Sequence, residues 1–236
     1  MAFAEDFHIE FTGSYWRLNP SGNVQTTSTR VDLRSDLGIQ DRKNQGLFKV
    51  VVKPGQKHRI NFEVIPYRFK GQNNVSRTFQ LGGVSYPFQD RITSEAKMNY
   101  IFGGYQFDFV STKQGHVGVV GGVAYFDAEA SATSQTFGST GREERKVPVP
   151  VVGGEFRAFL IPGKDILNIN GEVKGMSLGS YGRYIQANGN AGVAVARFIR
   201  LQAGFNLVDA DVHKKDRSQG FKFRFAGPIF SVQLHD

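Results

Sequence analysis

Cysteine is absent from the 236 residues. Disulfide frameworks and thiolate metal sites are therefore excluded, and redox chemistry leaves no mark of the compartment. Long hydrophobic runs are missing too. A membrane helix needs about 18 apolar residues, whereas the longest run here, Val117 to Phe126, is about ten, the length of a tilted membrane strand. No segment reads as a long amphipathic helix, a linker or a second domain, so residues 1–236 form one domain. The glycine-rich stretch Gly118 to Gly122 is followed by no Lys-Ser/Thr pair and no strand-to-helix turn, which excludes a phosphate loop. Neither His58 nor His116 begins a His-x-Ser motif. Ser14 and His8 share a strand face but stand about 20 Å apart at ~3.3 Å per residue. No catalytic residue and no cofactor is assigned.

What the chain has is a rhythm. Apolar and polar residues alternate over about ten positions, break at a short polar turn, and start again. Val117, Val119, Val123 and Tyr125 share one face; so do Phe11, Gly13 and Tyr15, and Leu201, Ala203, Phe205 and Leu207. In the last strand Phe221, Phe223 and Phe225 are assigned to the apolar outer face. Glycine (28), Phe (21) and Tyr (8) suit strands that bend and pack closely. The net charge is +8. The excess sits in loops and alternates with acids, which argues against nucleic acid.

The pattern predicts an all-β, antiparallel, up-and-down transmembrane barrel of about 12 strands, with 10–14 allowed. The expected strands include Phe7–Leu18, a turn at Asn19-Pro20-Ser21-Gly22, Asn23–Leu33, Arg77–Tyr86, and long loops at Ser131–Arg145 and Asp209–Gly220. A short helical turn is expected at Ser35-Asp36-Leu37. Residues 1–6 read as the remnant of a cleaved secretory signal and a periplasmic tail. Two strands carry a sharper mark. The outward set ending at Tyr125 continues in parity as Asp127 and Glu129, and the set ending at Leu207 continues as Asp209, Asp211 and His213. A carboxylate facing lipid is costly, so both strands should leave the bilayer there, toward the long loops.

Gly104-Tyr105-Gln106-Phe107-Asp108-Phe109, the tight turn after it, Gly118 to Tyr125, and the last strand Ala226 to Leu234 resemble small bacterial outer-membrane β-barrel proteins. The resemblance covers most of the chain as pattern and little as sequence. It implies an integral, porin-like place in the outer membrane of a Gram-negative cell. Such proteins usually end on an aromatic residue, whereas this chain ends Leu234-His235-Asp236.

Within that frame, Arg59, Glu63, Glu155, Arg157, Asn168, Asn170, Glu172, Lys174, Lys222 and Arg224 are expected to line the lumen. Glu155 and Arg157 would pair with Lys174 and Glu172 on the neighbouring strand, plugging or narrowing it. Unpaired basic rows would instead attract a small anionic solute. Arg142, Arg145, Lys146, Lys214, Lys215 and Arg217 form an expected basic rim for lipopolysaccharide phosphates. Asp209, Asp211 and His213 share one strand face as a weak metal candidate without a fourth ligand. Tyr15, Trp16, Tyr105, Phe107 and Tyr125 are the expected aromatic girdle. The expected partners are outer-membrane lipids and lipopolysaccharide, with the chain a monomer. The function expected is a narrow passive channel or a structural barrel. The alternatives are a lipid-modifying outer-membrane enzyme and a soluble ligand-binding barrel.

Overall fold

The computed structural model describes residues 7–25, 29–39, 42–161, 164–177, 179–213, 215 and 219–236. Its strands are β1 (Ile9–Gln25), β2 (Arg30–Asp32), β3 (Lys43–Gly55), β4 (His58–Asn74), β5 (Phe79–Leu81), β6 (Val84–Tyr86) and β7 (Arg91–Thr112). There follow β8 (Gly115–Ser134), β9 (Thr140–Ile161), β10 (Lys164–Ser177), β11 (Gly182–Ala196), β12 (Ile199–His213) and β13 (Gly220–His235), with one 3-10 turn at Gly179–Tyr181.

Ten strands close a barrel. β1 pairs with β3, β3 with β4, β4 with β7, and each strand from β7 to β13 with the next. β13 then returns to β1, in a register running from Glu10↔His235 to Gln25↔Gly220. All these pairings are antiparallel. Closure gives the backbone its hydrogen-bond partners without water, the condition for crossing hydrocarbon as strands. The turns at 56–57, 113–114 and 197–198 lie at the same end as Ile9 and His235. Gly115 closes the β7–β8 turn at φ 135°, and a Cβ there would stand 1.9 Å from the Arg157 carbonyl oxygen, so no other residue fits.

Ten is the low end of the expected range, and two segments account for it. Asn19 to Gly22 is not a turn: β1 runs straight through it. Pro20 is tolerated because the β1–β3 ladder stops at Leu18↔Lys43 and the β1–β2 ladder begins at Asn23↔Asp32. Its missing N–H thus falls between ladders. Arg77 to Tyr86 is not a wall strand either. It holds the β5–β6 hairpin, turned through Gly82 and Gly83 at φ 56° and 78°, the two positive angles of a tight I′ turn. With one strand fewer before it, the segment from Arg34 to Gly46 falls on the long-loop end. The loops expected at 131–145 and 209–220 shrink to 135–139 and 214–219, because β8, β9 and β12 continue beyond their carboxylates.

The hairpin and the 30–39 segment cap the long-loop end. Phe79, Leu81 and Tyr86 are buried with Val31, Leu37 and Ile39. The Tyr86 hydroxyl donates to the Ala132 carbonyl and accepts from Gly141 N–H at 2.7 Å. Arg77 binds Asp36 at 2.5 Å, and that hydrogen bond, together with the carboxylate's charge, raises the guanidinium pKa above its ordinary value. The expected turn at 35–37 is present: the Asp32 carboxylate accepts from the Arg34 and Ser35 N–H groups at 2.9 Å.

Outside, the wall is apolar over its middle height. Phe11, Tyr15, Phe48, Phe62, Ile101, Tyr105, Val119, Val123, Val152, Phe156, Val173, Phe205, Phe230 and Val232 are all exposed. On the long-loop side the same parity turns charged, with Glu95 and Lys97 on β7, Glu129 on β8, Arg183 on β11 and Asp209 and Asp211 on β12. A soluble protein leaves no such continuous oily band in water, whereas a band flanked by aromatic and polar residues is the exterior of a membrane barrel.

Candidate functional site

The inward face of the barrel divides into two layers. Toward the short turns it is ionic. Alternation places Glu10 on β1, Lys49 on β3, Arg59 and Glu63 on β4, Gln106 and Asp108 on β7, His116 on β8, Glu155 and Arg157 on β9, and Glu172 and Lys174 on β10 toward the interior. Arg157 grips Glu10 with both terminal guanidinium nitrogens, at 2.8 and 3.1 Å. Lys174 reaches Glu63 at 2.6 Å and Glu172 at 3.1 Å. Lys49 takes the other oxygen of Glu172 at 2.7 Å. Gln186 donates to Glu63 at 2.7 Å and accepts from the Tyr184 and Tyr100 hydroxyls at 2.7 and 2.9 Å.

A second chain of contacts starts at Arg59, which donates to Asp108 at 2.7 Å and to His116 Nδ1 at 2.9 Å. A guanidinium only donates, so Nδ1 accepts and Nε2 carries the proton. Nε2 donates to Glu155 at 2.6 Å, and Gln106 bridges Asp108 and Glu155 at 2.8 and 2.6 Å. The ligating atoms of Asp108, His116 and Glu155 lie within 4.8 Å of one another, close enough for a metal. The Arg59 guanidinium already bridges two of the three, so their negative charge is met by an internal cation.

Toward the long loops the filling becomes aromatic. Tyr67, Phe69, Phe126, Tyr184, Phe221, Phe223 and Phe225 meet across the interior, with Phe223–Phe225 centroids at 4.8 Å, Tyr67–Phe225 at 4.9 Å and Phe126–Tyr184 at 5.2 Å. Trp16, Phe126 and Tyr184 have no exposed surface. Lys174 joins the layers, its ammonium 4.2 Å from the centre of the Phe102 ring. Below the aromatics a polar cavity of ≈ 70 Å³ lies among Lys49, Glu155, Glu172, Asn188 and Ser231, room for a few waters.

The structure places the sequence-derived candidates as follows. Arg59, Glu63, Arg157, Asn168, Glu172 and Lys174 are buried in the interior, with Glu155 and Asn170 half-buried beside them. Lys222 and Arg224 are exposed on the outer face, and Phe221, Phe223 and Phe225 fill the lumen. The apolar set of β13 changes sides because the interior there is itself aromatic. The expected cross-strand pairs do not form: Glu172 stands opposite Glu155, and Lys174 opposite Gly153. Their partners across the interior come from β1, β3, β4 and β8 instead. Trp16 points inward, where its indole donates to the Gly227 carbonyl at 3.2 Å; Tyr15, Tyr105, Phe107 and Tyr125 face outward.

On the outer face Asp209 lies 3.6 Å from Arg183, and Asp211 3.5 Å from Lys222. Each carboxylate of the weak metal candidate therefore has a basic neighbour, with His213 half-buried on the same row. Of the rim residues, Arg142 binds Glu129 and Glu144 at 2.9 and 2.5 Å. Arg145 turns inward onto Glu143 at 3.1 Å, and Lys146 and Lys215 are exposed. Lys214 and Arg217, residues 1–6 and the turn at 162–163 lie outside the described residues. Sequence reasoning missed Glu10, Lys49, Asp108 and His116. Parity alone marks Gln106 and Asp108, which alternate with Tyr105, Phe107 and Phe109, and Glu10, which alternates with Ile9 and Phe11.

No family model matches the chain, and no curated protein matches it by sequence. Solved structures do match. The outer membrane protease OmpT from Escherichia coli superposes with a TM-score of 0.64 at 9% identity, over 100% of this chain and 99% of that one. The translocator domain of the autotransporter NalP from Neisseria meningitidis superposes with a TM-score of 0.52 at 10% identity, over 98% of this chain and 89% of that one. At these identities the likeness is one of fold: the closed antiparallel barrel of outer-membrane proteins.

Proposed function

We propose that this chain is an integral outer-membrane barrel that works with its lumen shut, as a structural barrel carrying the capped long-loop end at the cell surface. The observation that supports this reading is the continuity of the filling. Glu10, Glu63, Asp108 and Glu172 are met by Arg157, Lys174, Arg59 and Lys49, Glu155 is hydrogen-bonded by His116 and Gln106, and the aromatic layer follows directly above. Ion pairs with this much shared geometry hold a lumen closed rather than lining a route for anions. The apolar exterior supports the membrane setting. OmpT is named a protease, but the likeness extends to fold, and His116 is only 1% exposed. A side chain so buried is not presented to a substrate as general acid–base chemistry requires.

The test is planar-bilayer recording of the full chain. The expected result is no stepwise conductance for the native sequence at any voltage. Steps should appear in a variant whose aromatic layer is opened by Phe223→Ala and Phe225→Ala. Regular steps from the native chain would overturn the proposal.

A further inference from the structure

The wall of the barrel is not equally high all round. β8 and β9 pair up to Thr133↔Thr140, passing through Tyr125↔Pro148 and Val123↔Pro150. On the other side of β9 the ladder with β10 stops at Gly175↔Val152. β10 runs on to Ser177 paired with β11 (Ser177↔Arg183) but no longer with β9, and β11 begins at Gly182, paired with Val212. Among the described residues, nothing pairs with β9 above Val152 on that side. Two prolines stand where the ladder stops. Pro148 and Pro150 have the same parity and no N–H, so the donors they lack are those a strand beside them on the β10 side would need. The break is written into the sequence.

Behind the break is a cavity of ≈ 460 Å³, lined by Arg145, Val147, Tyr181, Val212 and Phe221 among others. That volume is within the range of roughly 300–1,000 Å³ typical of small-molecule sites, and the lining is mostly apolar. Its floor is closed, since Phe221 packs on Phe223 at 5.7 Å and Phe126 at 6.5 Å. At its polar end Arg145 is held by Glu143 at 3.1 Å and donates to Gln219 at 3.3 Å, so the charge there is balanced. The lip stands at the top of the oily band: Val152 and Ile185 are exposed apolar residues, and the next outward position above Ile185 is Arg183. Hydrocarbon therefore reaches the notch from outside while the cavity waits inside.

We propose that this notch admits a single acyl chain sideways from the leaflet on the long-loop side into the cavity above Phe221, with its polar head left at the level of Arg145 and Arg183. The occupant is a hydrocarbon chain with a polar head, either part of a bilayer lipid or a free fatty acid. The cavity is blind, so the chain is bound and not passed through. The proposal rests on the membrane setting argued above; that setting fails separately, if the chain stays folded and monodisperse without detergent.

The chain contains no cysteine, so one label can be placed cleanly. Val147→Cys carrying a bimane is reconstituted in phosphatidylcholine vesicles, beside a control label at Gln114→Cys in a short turn. Decanoate, dodecanoate and tetradecanoate are titrated. The expected result is a saturable blue shift at position 147 only, tightening up to about fourfold per added methylene until the cavity is full. Phospholipid with brominated acyl chains separates the sources. Quenching at 147 without free acid, relieved by dodecanoate, identifies a lipid chain; a response to the free acid alone identifies the fatty acid. Filling the cavity with Val212→Trp should abolish the saturable phase, while the faster migration of unboiled protein on a gel reports that the barrel is intact. The proposal is overturned if label 147 responds no more than the control in both arms, or if Val212→Trp in an intact barrel leaves the response unchanged.

Discussion

Lys174 has no exposed surface and touches two carboxylates, so it is the residue whose loss should be felt most. Its methionine variant keeps the volume of the stem but leaves Glu63 and Glu172 with one cation fewer between them. Removing one partner from a buried ion pair costs about 3–5 kcal/mol, and urea unfolding of the barrel in lipid vesicles should report a loss of that size for Lys174→Met. The matched double variant Lys174→Met, Glu63→Leu should recover part of it, because no uncompensated charge then remains on that side. A second residue-scale prediction concerns direction. Trp16 has no exposed surface and Tyr15 beside it is 50% exposed. Brominated lipid should therefore quench the native Trp16 fluorescence weakly. In a Tyr15→Trp, Trp16→Phe variant the quenching should be strong. Equal quenching in the two proteins would mean that the β1 register is wrong.

At the scale of the element, the β5–β6 hairpin is the piece least like the rest. It has no ladder to the wall and is pinned by Tyr86 and by the fit of its turn. A Cβ on Gly82 would stand 2.2 Å from the Arg142 nitrogen, and the residue has φ 56°. Gly82→Ala should therefore lift the hairpin off β9 without unfolding the barrel. Tyr86→Phe should loosen it by about 1–3 kcal/mol, the cost of leaving buried backbone groups without partners. Amide exchange over 79–86 is expected to quicken in both variants, and at Gly141 in Tyr86→Phe, while exchange in the rest of β7 to β9 is unchanged. Exchange quickening equally throughout would mean that the hairpin is part of the cooperative wall. This element also marks where the sequence misleads. Its apolar residues alternate like a wall strand, and only the paired glycines, with three-residue arms on either side, show that it cannot span.

For the whole molecule, the oily exterior makes a direct demand. The purified chain should need detergent or lipid to remain monodisperse, and unboiled samples should run faster on denaturing gels than boiled ones. A chain that stays dispersed in plain buffer would contradict the membrane setting. Much of this architecture was legible beforehand, because an outward face bathed in hydrocarbon imposes one chemical rule on every strand. Val117 to Tyr125 and Leu201 to Leu207 obey it, and the carboxylates after them mark its upper limit. The inward face obeys no single rule. It accepts Lys174 at one height and Phe223 at another, so β13, with phenylalanine on one parity and Lys222 and Arg224 on the other, could be read either way round from its sequence alone. Only its neighbours decide: Asp211 stands opposite Lys222, and Asp209 opposite Arg224. The partners of the lumen charges were hidden for a similar reason. Glu10 and Arg157 lie 147 residues apart, and no local pattern links them before the ring closes.

The outward charges on β7, β8, β11 and β12 have one more effect. Because they begin at a fixed distance above the short turns, the protein can neither sink into nor rise out of a membrane thicker than its oily band without dragging charge into hydrocarbon. The softer partner must yield, so the surrounding lipid is thinned to match, at fractions of a kcal/mol per ångström of mismatch. A stiff, thick bilayer should then drive these barrels together, since two that share a rim deform less lipid than two apart.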